Sequence, residues 1–104
     1  MRGLLIGLCV AAAPAFAADP PADLAAGKAL FLKGATPACA VCHTLKDAGS
    51  AGEIGPVLDE LKPSADRVAT ALRNGVGMMP SYKGQLTDAQ IMAIARYVAA
   101  VTAR

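Results

Sequence analysis

Residues 38–45 read ACAVCHTL, and this stretch holds two of the three cysteines and the single histidine of a 104-residue chain. Cys39, Cys42 and His43 stand at i, i+3 and i+4, positions that share a face on one helical turn. Residue types and spacing of this kind serve a metal, a disulfide or a covalently held cofactor. The rest of the chain limits the choice, because large apolar side chains are few: no Trp, two Phe and two Tyr. A domain this small buries a modest share of its surface and usually needs a staple, a metal or another group to complete its core.

The start of the chain is read as a targeting segment. Met1-Arg2 is a short positive head, residues 3–13 are an apolar run, and Ala15-Phe16-Ala17 fits the small-x-small cleavage pattern. The run is shorter than the roughly 20 residues that span a bilayer. Residues 1–17 are therefore expected to be a secretory signal peptide that is cleaved, and residues 18–104 one mature domain. Cys9 leaves with the signal, and Leu8 is too large for the small residue that precedes a lipidated cysteine. Export implies an oxidising compartment. Pro20-Pro21 reads as a loose entry into the fold. Losing Arg2 leaves nine basic and eight acidic residues. Without a Lys/Arg run, nucleic-acid binding has no support, and no stable membrane insertion is expected after cleavage.

The periodicity points to an all-α fold. Leu24, Gly27 and Phe31 share one face of a helix over residues 23–34. A glycine inside a helix costs about 1 kcal/mol relative to alanine, so Gly27 is read as the site of a close helix contact. A short turn covers residues 39–45. A third helix is expected over residues 64–74, with Ser64 as N-cap and Gly75 as a left-handed stop. The fourth, residues 88–102, has Thr87 and Gln90 as a capping box and Leu86 and Ile91 as a hydrophobic staple. Ile91, Ile94, Val98 and Val101 form its apolar stripe. No run alternates with period two, so strands are not expected.

Four uses of Cys39, Cys42 and His43 compete. A structural zinc site needs about four protein ligands, and a second Cys/His pair is missing. A redox dithiol belongs on a βαβ scaffold that the pattern does not support. A Cys39–Cys42 disulfide closes too small a loop to constrain much of the unfolded chain. C-x-x-C-H is also the attachment signature of c-type haem. On one turn both thiols can form thioethers with the haem vinyl groups while His43 reaches the iron.

The mature chain resembles a class I c-type cytochrome over nearly its whole length. CAVCH sits early, Gly27-Lys28-Ala29-Leu30-Phe31 resembles the N-terminal helix, and Ile54-Gly55-Pro56-Val57-Leu58 resembles the GP-x-L segment. Residues 74–82, NGVGMMPSY, resemble the segment that supplies the second iron ligand, and Ile94 and Tyr97 resemble the C-terminal helix residues that cross Gly27. The resemblance implies a cytochrome c fold, with short helices wrapped around one covalent haem c and the N- and C-terminal helices crossing. It also implies that the Pro56 carbonyl accepts from His43. Tyr82 resembles a pocket aromatic, although an ordinary half-buried tyrosine fits as well. Arg73 is a candidate for a haem propionate or simply a helix-end cation.

His43 is the sole histidine, which leaves Met, Lys, water or an open position for the other side of the iron. Met79 matches the family motif, and Pro80 holds it extended; Met78 is its rival and Met92 is read as partly exposed packing. The expected function is periplasmic one-electron transfer between a dehydrogenase and a terminal oxidase or other acceptor, without enzymatic activity. The chain would be a monomer or the small, dedicated cytochrome subunit of a periplasmic dehydrogenase, for example one oxidising sulfite. An open iron would instead allow peroxidase-like chemistry or gas binding, but no second histidine is present to act as a general base.

Overall fold

Helix α1 spans Pro21–Lys33, two residues earlier than the periodicity suggests. Proline is well suited to the first helical position, where its missing N–H would have no partner. Pro21 therefore opens the helix instead of forming a loose approach to it. The computed structural model describes residues 21–104, together with Gly3 and Gly7. Apart from those two glycines, the expected signal peptide, residues 1–17, lies outside the described residues.

After α1 come α2 (Cys39–Cys42), β1 (Thr44–Leu45), a 3-10 turn at Lys46–Ala48 and β2 (Ser50–Ala51). Three helices complete the chain: α3 (Leu58–Leu61), α4 (Ala65–Asn74) and α5 (Asp88–Thr102). The all-α expectation holds for the framework, with one correction: β1 and β2 form a minimal antiparallel ladder, Thr44 opposite Ala51 and Leu45 opposite Ser50. Two residues per strand are too few to show a period. Among the described residues no helix is long and apolar enough to cross a membrane.

The helix ends follow from side chains visible in the sequence. Ser64 Oγ accepts from the Arg67 N–H at 3.1 Å and starts α4. At α5 the Gln90 N–H donates to Thr87 Oγ1 at 3.1 Å, and the Thr87 N–H donates to Gln90 Oε1 at 2.9 Å. Gly75 ends α4, but in a different way from a left-handed cap. Its φ of 73° comes with an extended ψ of 162°, a combination available essentially to glycine alone.

Helices α1 and α5 share the largest contact, and α4 packs on α5. A Cβ on Gly27 would collide with the Ala93 carbonyl oxygen and come within 2.5 Å of Tyr97 Cβ. The expected glycine crossing is present, but Ala93 and Tyr97 make it. Ile94 is turned to the other side, where it lines a cavity. Phe31 and Tyr97 meet edge to face, with centroids 6.1 Å apart, a favoured aromatic arrangement. Leu86 and Ile91, the two members of the staple, are both buried in the same core.

Candidate functional site

The α2 turn is one turn long. The His43 N–H donates to the Cys39 carbonyl at 3.0 Å, closing the turn, but His43 itself is extended, at φ −116° and ψ 136°. The shared helical face therefore ends at Cys42, and other contacts must hold the imidazole. Nδ1 lies 2.8 Å from the Pro56 carbonyl oxygen. A carbonyl can only accept, so Nδ1 carries a proton, an arrangement that in the neutral ring leaves the lone pair on Nε2. Gly55 packs flat on the ring: a Cβ there would stand 2.5 Å from Cε1 and 2.8 Å from Nδ1. On the main-chain side the Ser50 hydroxyl donates to the His43 carbonyl at 2.9 Å. Thr44 Oγ1 donates to the Gly52 carbonyl at 2.9 Å and closes the other end of the small ladder.

Cys39, Cys42 and His43 line a cavity of about 420 Å³, and Met79 lines the same cavity from the segment between α4 and α5. Its walls are apolar, with Phe31, Leu58, Leu72, Ile94 and Val98 among them. Met79 is held in a tight turn. The Val76 N–H donates to the Met79 carbonyl at 3.0 Å, and the Met79 N–H donates to the Val76 carbonyl at 2.9 Å. The unusual backbone of Gly75 permits this turn, since a Cβ there would come within 2.7 Å of the Met79 oxygen. Met79 is half-buried against the core. Met78 reaches the cavity margin but is 88% exposed. Met92 is also half-buried but does not line the cavity.

The alternatives open for Arg73 and Tyr82 are narrowed by the structure. Arg73 is turned away from the cavity and pairs with Asp88, Nε to Oδ1 at 3.6 Å. The cavity arginine is Arg67. It belongs to the set Arg67, Val68, Ala71 and Leu72 on one side of α4, a spacing the sequence does display. Tyr82 is buried, lines the cavity and donates its hydroxyl to the Pro37 carbonyl at 2.6 Å. Burial raises its pKa and keeps that proton in place. Gly55 lies in the GP-x-L segment, but its packing on the imidazole was not readable from that motif, and Ser50 had no signal at all, because both roles depend on what folds against them.

The chemistry of the donors narrows the choice of ligand. Burial pushes the Cys39 thiol up to about 11, the opposite of what a nucleophilic redox thiolate requires. The two thiols are not joined to each other. Among the described residues no three His, Cys, Asp or Glu side chains converge on a metal position, which disfavours zinc. A large apolar cavity bordered by two thiols, one imidazole with a free Nε2 and one thioether fits a haem.

The comparisons agree with this fit. A family profile described as "Cytochrome C oxidase, cbb3-type, subunit III" matches residues 22–98. Cytochrome c6 of a Picosynechococcus species is 35% identical over 97 residues, covering 83% of this chain and 76% of its own. Cytochrome c6 of Thermostichus vulcanus is 31% identical over 107 residues, 94% of this chain and 91% of its own. The solved structure of the c-type cytochrome SorU from Sinorhizobium meliloti matches with a TM-score of 0.77 at 50% identity, over 82% of this chain and 97% of that one. The chain belongs to this family as a small monohaem class I c-type cytochrome, an electron-transfer protein with one covalently bound haem c.

Proposed function

We propose that the protein is an exported, periplasmic one-electron carrier in which Cys39 and Cys42 hold the haem and His43 and Met79 are the iron ligands. The observation that carries this reading is the convergence of an imidazole and a thioether, from two separate segments, on one apolar cavity that both cysteines also line. The bound group supplies an iron that changes oxidation state by one electron.

The side chains set the conditions for that exchange. Pro56 fixes the His43 tautomer, and Gly55 allows the ring to lie close against the backbone. The soft Met79 sulfur favours the ferrous state. Apolar walls disfavour the extra charge of the ferric state, and both effects raise the potential. With His43 and Met79 both holding the iron, no site would be left for substrate, which suits transfer between redox proteins such as a dehydrogenase and a terminal oxidase or other acceptor. The near balance of acidic and basic residues argues against a partner recognised through one dense lysine ring.

Two substitutions test the ligand assignment. Met79→Ala is expected to abolish the iron–sulfur charge-transfer band, lower the reduction potential and admit carbon monoxide. Met78→Ala, at an exposed position, should leave all three nearly unchanged. The reverse pattern would make Met78 the ligand, and retention of the band in both variants would remove this segment from the iron altogether.

A further inference from the structure

The segment that carries Met79 is held on two sides by different means. Toward α4 the Tyr82 N–H donates to the Leu72 carbonyl at 2.7 Å, and the Ser81 hydroxyl donates to the Arg73 carbonyl. Toward the stretch that leads into Cys39, among the described residues, three side-chain hydrogen bonds make the connection. Gln85 Oε1 accepts from the Thr36 N–H at 2.9 Å, and Gln85 Nε2 donates to the Thr36 carbonyl at 2.8 Å. One side-chain amide thus satisfies both main-chain groups of Thr36, as a neighbouring strand would. The Tyr82 hydroxyl reaches the adjacent carbonyl, that of Pro37. Thr36 and Pro37 lead directly into Cys39, and Gln85 follows Met79 in the same segment.

We propose that Gln85 is a latch, working beside Tyr82, that holds the Met79 segment against the Cys39 segment and so sets how readily an outside ligand displaces the thioether. The proposal rests on Met79 being an iron ligand. Gln85 does not line the cavity, so it acts as a positioning residue. For an outside ligand to reach the iron, the Met79 side chain must withdraw, and the apparent affinity of that ligand scales with the population in which it has done so. Breaking both Thr36 bonds raises that population exponentially with the free energy they contribute. For two ordinary, exposed hydrogen bonds this is roughly tenfold.

Imidazole is the probe, titrated into the ferric holoprotein and followed by loss of the iron–sulfur band. Gln85→Met keeps the length of the side chain without its donor or acceptor. It is expected to raise the imidazole association constant about tenfold and to speed exchange of the Thr36 amide proton by a similar factor, with α5 amides unaffected. Tyr97→Phe serves as a control: it is expected to lower overall stability at the α1–α5 crossing, through loss of the bond to Asp47, and should not change imidazole affinity. Unchanged imidazole affinity in Gln85→Met would overturn the latch, and so would exchange that accelerates equally in α5. A band that survives Met79→Ala marks a separate failure, that of the ligand assignment, and removes the basis of the latch with it.

Discussion

Asp47 shows how one residue ties together parts of the chain that are remote in sequence. Its Oδ2 accepts from the Tyr97 hydroxyl at 2.6 Å, and Lys28 and Arg104 approach it at 3.7 Å each. The two ion pairs are exposed enough to contribute little. The buried tyrosine hydroxyl carries more, since hydrogen bonds to charged groups contribute about 1.5–3 kcal/mol. Burial, and then the carboxylate partner, raise the Tyr97 pKa above the ordinary tyrosine value. A folded-state pKa above the unfolded value of about 10 means that the stabilisation is complete below pH 10 and is lost as pH rises toward the folded value. Denaturant unfolding at pH 8 should therefore show Tyr97→Phe to be less stable than wild type. Between pH 10 and 12 the difference should shrink, by at most about 1.4 kcal/mol per pH unit. Lysine titration is common to both proteins and cancels in the comparison. Parallel pH profiles would show that the Tyr97–Asp47 bond is not what is being titrated.

At the scale of elements, what the sequence revealed was local. Ser64, Thr87 and Gln90 cap helices by reaching three residues along the chain, so their signals are contained in a few neighbouring positions. The C-x-x-C-H group and the paired methionines were equally legible. The α3 helix at Leu58–Leu61, the 3-10 turn and the two-residue strands lay below the length at which a period can be read. Orientation was the other gap. Arg67 and Arg73 look alike on α4, and only packing against α5 decides which one meets the cavity. The same packing puts Ala93 rather than Ile94 against Gly27. At that crossing, propensity and contact make opposite predictions. Propensity alone has Gly27→Ala stabilising α1 by about 1 kcal/mol. The added Cβ would meet the α5 backbone, which cannot rotate away as a side chain can, and overpacking costs about 1–3 kcal/mol. Gly27→Ala should thus lower the melting temperature, and Gly27→Val should lower it further. A rise in Gly27→Ala would show that the helices separate without cost.

For the whole molecule, core and cofactor site overlap. Phe31, Leu58, Leu72, Ile94 and Val98 are buried among other side chains and also line the cavity. The core therefore cannot be completed by the protein alone. A cavity of about 420 Å³, at about 24 cal/mol per Å³ for an unfilled apolar void, corresponds to at most on the order of 10 kcal/mol. That is comparable to the whole stability of a small domain, about 5–15 kcal/mol. Partial collapse and water entry would reduce the figure, but both would sacrifice the packing that makes unfolding cooperative. A Cys39→Ala, Cys42→Ala double variant, produced without haem, is therefore expected to unfold with little cooperativity, losing near-UV dichroism at temperatures where the holoprotein is intact. Helical signal should persist longest in α1 and α5, because their contact is the largest in the fold and is centred on Gly27, Ala93 and Tyr97 rather than on the cavity. A sharp transition close to that of the holoprotein would mean that the α1–α5 and α4–α5 contacts suffice, and that the haem fills a core already stable without it.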